Sequence, residues 1–197
     1  VAMGDGIDNF VGGLSSAQFN QVLPPRLSRH LFYSYLLSVS DHIIALIIGD
    51  HERFSVDLDD FDVIGEVGKT LKKGYLGAGG TIYLTFGDIQ YKIAARHRYR
   101  FNSSQNPCHT CRQYLRQEDP TPDVVVIAHN HIKSVEQENM LGKDRIFIRP
   151  GTYKLSDRWM QKKSFLPKAG VSTVPVALFC TKYKEMRTSY SISEASE

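Results

Sequence analysis

The chain has no long apolar run. Its longest candidate, Ile43 to Ile48, is one strand long, far below the roughly 20 residues a helix needs to cross a bilayer. No membrane partner is therefore expected. Cysteine is scarce and odd in number, with Cys108, Cys111 and Cys180 alone. That excludes a disulfide scaffold and points to a reducing compartment, so a cytoplasmic location is expected. No basic segment followed by an apolar one opens the chain, so no signal peptide is expected. Internal repeats and low-complexity stretches are absent. Neither charge dominates: Lys+Arg is 24, Asp+Glu is 21 and the net charge is +3. Such a small excess does not mark a dedicated nucleic-acid binder, yet it would not repel an anionic substrate. What remains is ordinary for a folded domain. The 197 residues are 42% hydrophobic and 23% charged, too apolar for disorder. The chain is long enough to bury a core without disulfide or metal staples.

Short β-rich runs alternate with helical patterns, which predicts an α/β or mixed-sheet domain. Residues 1–187 read as a single domain and residues 188–197 as a polar, frayed tail. Val1–Met3 reads as the end of a strand and Ile43–Ile48 as a buried strand. Ser28–Ser38 has apolar residues at helical spacing after Pro24-Pro25. A second helix is expected over Asp60–Leu71 and a short one over Thr110–Gln117. Thr81–Phe86 and Gln90–Ala95 read as a hairpin around Gly87-Asp88. Val124–Ile127, Arg145–Ile148 and Val174–Phe179 read as further strands.

The chemistry lies where apolar strands stop. Ala2-Met3 runs into Gly4-Asp5-Gly6-Ile7-Asp8-Asn9, and Ile47-Ile48 into Gly49-Asp50-His51-Glu52. Ile127 runs into Ala128-His129-Asn130-His131, and the strand ending at Ala95 delivers Arg96-His97-Arg98. Open α/β sheets bind ligands at the carboxyl ends of their strands. Carboxylates and neutral imidazoles are ligands for Mn, Fe and Zn. Two neighbouring cations need a bridging carboxylate, for which Asp5 is the candidate. A His-x-His pair such as His129 and His131 can serve one metal each. Glycine before the acidic residue, at Gly4 and Gly49, permits a sharp turn out of the strand.

These blocks resemble those of the calcineurin-like metallophosphoesterases, whose order is Asp-x-His, Gly-Asp-x-x-Asp, Gly-Asn-His-Asp/Glu, an isolated His and Gly-His-x-His. Asp5 and Asp8 match the second block, Gly49-Asp50-His51-Glu52 the third, His97 the fourth, and Ala128-His129-Asn130-His131 the fifth. Asp144 to Tyr153 looks like the family's strand followed by Pro-Gly-Ser/Thr-Tyr. The likeness covers about residues 1–155. The run from His97 through Asn106-Pro107 looks like the phage and bacterial branch.

The resemblance implies a four-layer α/β/β/α sandwich with two mixed β-sheets and a site for two divalent ions (Mn, Fe or Zn). It implies that Asp5 bridges both ions, that Asp50, His97 and His129 hold the second, and that His131 holds the first. His51 would approach the phosphate as the catalytic acid, and Asn9 and Arg98 would contact substrate. A metal-activated hydroxide would attack a phosphomonoester or phosphodiester. Two departures modify this expectation. The Asp-x-His block would lie upstream of Val1, so the second-metal site is the better preserved. Asp50 stands where the family has Asn, adding negative charge beside the phosphate, so tighter metal binding and slower turnover are expected. A non-catalytic binding or structural subunit of the same fold is therefore the alternative reading, and a Mn-dependent nuclease, with nucleic acid as partner, the second. Oligomeric state is not encoded in any recognisable pattern.

Other features read more plainly. His30 and His42 flank an apolar helix and strand and read as structural or exposed. Cys108 and Cys111 form a C-x-x-C around His109. No second ligand pair follows at zinc-finger spacing, so they read as small residues at a helix start, with His109 a candidate for the cleft. Lys154, Arg158, Lys162, Lys163 and Lys168, interleaved with Trp159 and Phe165, read as a solvated basic face. Gly77-Ala78-Gly79-Gly80 lacks the Gly-Lys-Ser/Thr of a phosphate loop.

Overall fold

A computed structural model describes residues 1–11, 21–103, 105–152 and 174–190. The basic stretch from Lys154 to Lys168, Tyr153 and the end of the tail, 191–197, lie outside the described residues. The chain divides into two compact units, Val1–Gly80 with Arg96–Arg98, and Thr81–Ala95 with Tyr99–Glu197. Both mix helix and strand.

In the first unit, Ala2 bridges Leu46 in parallel, and β1 (Ala45–Leu46) pairs in parallel with β2 (Gly74–Tyr75). The expected strand over Ile43–Ile48 is buried except at Ile44, which is exposed, and only two residues have ladder geometry. Helix α1 (Pro25–Ser38) opens with Pro near its start, where a missing N–H costs nothing. The expected helix over Asp60–Leu71 is α3 (Val63–Leu71), whose N-cap Asp62 accepts from the Gly65 N–H at 2.8 Å. A further helix, α2 (Asp50–Asp59), starts immediately after Gly49, so the polar cluster expected at the strand end is its first turn. Asp60, at φ 56°, closes it. Leu36, Ile43, Leu46, Ile48, Val63, Ile64 and Val67 form the unit's core.

The second unit is built on a five-stranded sheet in the order β3-β4-β5-β7-β6. It comprises β3 (Gly79–Phe86), β4 (Ile89–Arg96), β5 (Val124–Ile127), β6 (Lys133–Met140) and β7 (Lys143–Pro150). β5 and β7 run parallel, Val124 opposite Ile146, as continuous apolar strands do when both faces are covered. β6 and β7 form a hairpin whose turn residues, Leu141 and Gly142, both have positive φ (56° and 73°), the geometry that suits strand twist. Helix α4 (His109–Gln117) packs Cys111, Tyr114 and Leu115 against Val125, Ile127 and Phe147. A separate hairpin pairs β8 (Val176–Phe179) with β9 (Met186–Ser189). Thr188 and Ser189, assigned to the tail by their polarity, are therefore strand residues. Among the described residues, no helix is long and apolar enough to cross a membrane.

Candidate active site

Within the first unit, the two strand exits pass back to back. A Cβ on Gly4, at φ 79°, would meet Gly49 N at 2.3 Å, and one on Gly49 would meet Asp5 N at 2.1 Å. Both glycines are therefore required by close approach. Beyond them the main chain has no ladder partner, and a buried carboxylate supplies one. Glu52, 0% exposed, accepts the N–H of Asp5 (2.8 Å) and of Gly49 (2.9 Å) on Oε2 and that of Gly6 (2.7 Å) on Oε1. It also serves the amino end of α2, as the third helical residue of a capping box does. Burial pushes the Glu52 carboxyl up despite these donors, and the charge of Asp5 adds to the rise. In the sequence Glu52 carries no role beyond its place in the Gly-Asp-His-Glu block; its position three residues after Gly49 is the signal of a capping box.

This clamp sets Asp5 in the left-handed region, at φ 53°. Its Oδ1 accepts from the His51 N–H at 2.9 Å, and its Oδ2 lies 3.1 Å from His97 Nε2. Burial would raise its pKa. The hydrogen bond and charge of His97, then the N–H and charge of His51, outweigh burial and bring it to about 2. His97 is displaced upward: burial acts against its charge, but the hydrogen bond and charge of Asp5 prevail. Each imidazole has one nitrogen on a main-chain carbonyl, His97 Nδ1 on Met3 O (2.7 Å) and His51 Nδ1 on Asp8 O (2.8 Å). A carbonyl can only accept, so both Nδ1 atoms carry the proton. A neutral His51 ring therefore presents a bare Nε2, whereas His97, which faces the Asp5 carboxylate through Nε2, carries a proton there as well. The His51 ring lies between Phe10 and Phe54, at centroid distances of 5.2 and 5.5 Å.

The remaining first-unit candidates stand close by in the chain but in different settings. Asp50, at the start of α2, pairs through Oδ2 with Arg98 Nη1 at 3.2 Å, and the Arg98 side chain is largely exposed. Asp8, half-buried, lends its carbonyl to His51. Asn9, offered by the family likeness as a phosphate contact, is 0% exposed, and its amide is spent on His51 O (2.9 Å) and Ser55 Oγ (2.8 Å). Its place is that of a brace, because a buried, committed amide has no donor left for substrate.

In the second unit, β5 ends in a loop where His129 (φ 76°, half-buried) and His131 (φ 56°, exposed) both take left-handed backbone. Arg149, 1% exposed on β7, donates to Ala128 O at 2.9 Å and Pro107 O at 3.3 Å, and so holds the residue before His129. Nothing in the run Arg145-Ile-Phe-Ile-Arg149 marks that arginine as buried. The thiols of Cys108 and Cys111 are fully buried, facing Phe147 O and Ile148 O. Burial, then Cys108 beside it, pushes the Cys111 thiol up, which suits an inert core residue. His109 opens α4, half-buried.

Positive φ on a residue other than glycine points to function only once turns and caps are set aside. Among the described residues, Asp60 and Lys72 are helix C-caps and Leu141 is a hairpin turn. Of the five others, four are Asp5, Asn9, His129 and His131.

The first-unit donors suit a divalent cation. His97 Nε2 and Asp5 Oδ2, at 3.1 Å, are close to the roughly 3 Å expected of neighbouring ligands each about 2.1 Å from one ion. The Met3 carbonyl on Nδ1 is the outer contact that orients a ligating imidazole.

No family model matches the chain, and no curated protein does. Solved structures are similar to it at low identity. One is a conserved uncharacterized protein of Streptococcus pneumoniae described as a predicted phosphoesterase, 12% identical, with 82% of this chain and 91% of that one covered and a TM-score of 0.42. Another is Vacuolar Protein Sorting 29 of Cryptosporidium parvum, 15% identical, with 79% and 86% covered and a TM-score of 0.41. A third is wild-type Vps29 complexed with zinc from Entamoeba histolytica, 13% identical, with 92% and 93% covered and a TM-score of 0.38.

Proposed function

We propose that the chain is a metal-dependent phosphoesterase acting on a phosphomonoester or phosphodiester. The observation that carries this reading is the Asp5 carboxylate, fixed in a left-handed turn between His97 Nε2 and the His51 N–H. Asp5, His97 and Asp50 would hold a divalent cation, with His129 and His131 as further ligands. In support, Asp5 and His97 bring a carboxylate oxygen and an imidazole nitrogen within 3.1 Å of each other. Mn, Fe and Zn all suit such mixed carboxylate–imidazole donors. A bound cation would set positive charge against the phosphate and acidify the attacking water.

The chain's own residues do the rest. Asp5 and Asp50 bring the negative charge that retains a cation, and Arg98 limits the repulsion Asp50 would exert on a phosphate. His51 keeps its Nδ1 proton on Asp8 O and, when protonated, delivers the Nε2 proton to the leaving oxygen. Polymeric phosphodiesters, and hence nucleic acid, fall within the same chemistry.

The test is hydrolysis of p-nitrophenyl phosphate and its bis-ester with added Mn²⁺. Metal-stimulated turnover is expected, and His51→Ala should lower kcat by about 10²–10⁴-fold. Absence of metal-stimulated turnover, with His129→Ala indistinguishable from the parent in metal binding, would overturn it. The Asp50–Arg98 pair favours a second reading, a binding subunit of the same fold, because it engages a ligand oxygen. Metal content by mass spectrometry separates the two: two equivalents favour the enzyme, and one or none the subunit.

A further inference from the structure

His51 has three polar atoms already committed. Its N–H donates to Asp5 Oδ1 at 2.9 Å, its C=O accepts from Asn9 Nδ2 at 2.9 Å, and its ring Nδ1 donates to Asp8 O at 2.8 Å. The Asp8 oxygen belongs to the peptide unit that joins Asp8 to Asn9. Whatever anchors Asn9 therefore fixes the oxygen that selects the tautomer of the ring.

That anchor is a chain of polar side chains, two of them buried and the third, Arg29, half-buried. Asn9 is held at φ 45° and is 0% exposed. Ser55, 1% exposed, follows His51 by four residues and so lies one turn along the same face of α2. Its Oγ accepts from Asn9 Nδ2 at 2.8 Å and from Arg29 Nη1 at 2.9 Å, and its own proton is directed at Asn9 Oδ1 at 3.2 Å. Arg29 comes from α1, and its guanidinium lies 5.5 Å from the Phe61 ring centroid. Burying such groups costs free energy unless their polar atoms are paired. These atoms are paired with one another, which makes the chain rigid rather than merely tolerated. A second helix, α1, thereby bears on the loop that carries Asp8.

We propose that Asn9, Ser55 and Arg29 are positioning residues that hold His51 as its Nδ1–H tautomer and reserve Nε2 for the substrate. This rests on the reading of His51 as the leaving-group acid, but the tautomer is a property of the protein without metal or substrate. An imidazole released from Asp8 O samples both tautomers. Its ring is then free to turn, so the protonated form no longer aims Nε2–H at the leaving oxygen and the neutral form left after transfer is no longer held, and catalysis falls without loss of substrate binding.

The test has two arms. Imidazole ¹⁵N shifts of the metal-free protein should show the neutral His51 ring with Nδ1 protonated and Nε2 bare. Asn9→Gly tolerates the positive φ while deleting the amide, and it should give a mixture of tautomers. Ser55→Ala should do the same, and Ser55→Thr, which keeps the hydroxyl, should restore the single form. In turnover, Asn9→Gly and Ser55→Ala should lower kcat about tenfold or more with KM within about twofold. A wild-type ring protonated at Nε2 instead overturns the proposal even if every variant fails to fold. So does a tautomer ratio that Asn9→Gly and Ser55→Ala leave unchanged. The expected tautomer in a protein with no metal-stimulated turnover sinks the phosphoesterase reading and leaves the brace standing. Turnover in a protein with the wrong tautomer does the reverse.

Discussion

At the Asp5 corner a buried carboxylate collects amide hydrogens; at the His129 corner a buried guanidinium collects carbonyl oxygens. Both corners place residues other than glycine in left-handed backbone, and both leave main-chain groups without ladder partners. Glu52 meets the need in the first with three acceptor contacts. Arg149 meets it in the second by donating to Ala128 O and Pro107 O. The two solutions differ in vulnerability. A carboxylate can take up a proton, and burial already pushes Glu52 toward doing so. A guanidinium stays charged at any ordinary pH, although burial lowers its pKa. Opposite charges thus solve one backbone problem, and the one that can be neutralised lies beneath the residue that matters most, Asp5.

The largest effect is expected from breaking the first corner. Glu52→Gln preserves size but turns one acceptor into a donor facing amide hydrogens. It should cost about 3 kcal/mol or more, read as a fall in the urea midpoint with an unchanged slope. A variant as stable as the parent would show that the carboxylate does not organise this turn. Arg149→Met should cost less, about 2 kcal/mol, because carbonyls keep a second lone pair for other donors. That loss should be equal at pH 4 and pH 7, since its acceptors do not titrate.

The smallest effect sharpens the contrast within the second unit. Arg112 pairs with Glu136 and, at 2.8 Å, with Glu138. Burial would raise the Glu136 pKa, but the hydrogen bond from Arg112 lowers it. A depressed carboxylate stabilises the fold above its unfolded pKa of about 4.3, and that contribution disappears as pH falls through the lower folded value. Arg112→Met should therefore cost about 1 kcal/mol at pH 7 and less as the medium is acidified. A cost that grows in acid would contradict the sign of this linkage.

Local patterns made part of this molecule legible. Helical spacing located α1 and α4, and uninterrupted apolar residues located β5. The same patterns missed β6, whose sequence Lys-Ser-Val-Glu-Gln-Glu-Asn-Met is mostly polar and becomes a strand through its pairing with β7. They also missed α2, which begins at a glycine and carries the site's own polar residues on its first turn.

By itself the sequence determined which residue types stand at the strand exits, and hence that carboxylates and imidazoles could share one site. Asp5 and His97 are 92 positions apart in the chain, and their 3.1 Å separation is a property of the tertiary structure. So are the nitrogen each imidazole presents and the buried charges of Glu52 and Arg149 that hold the turns. Residue identity is written locally. Hydrogen-bond partnership and desolvation arise only when distant segments pack together, and those decide what each identity can do.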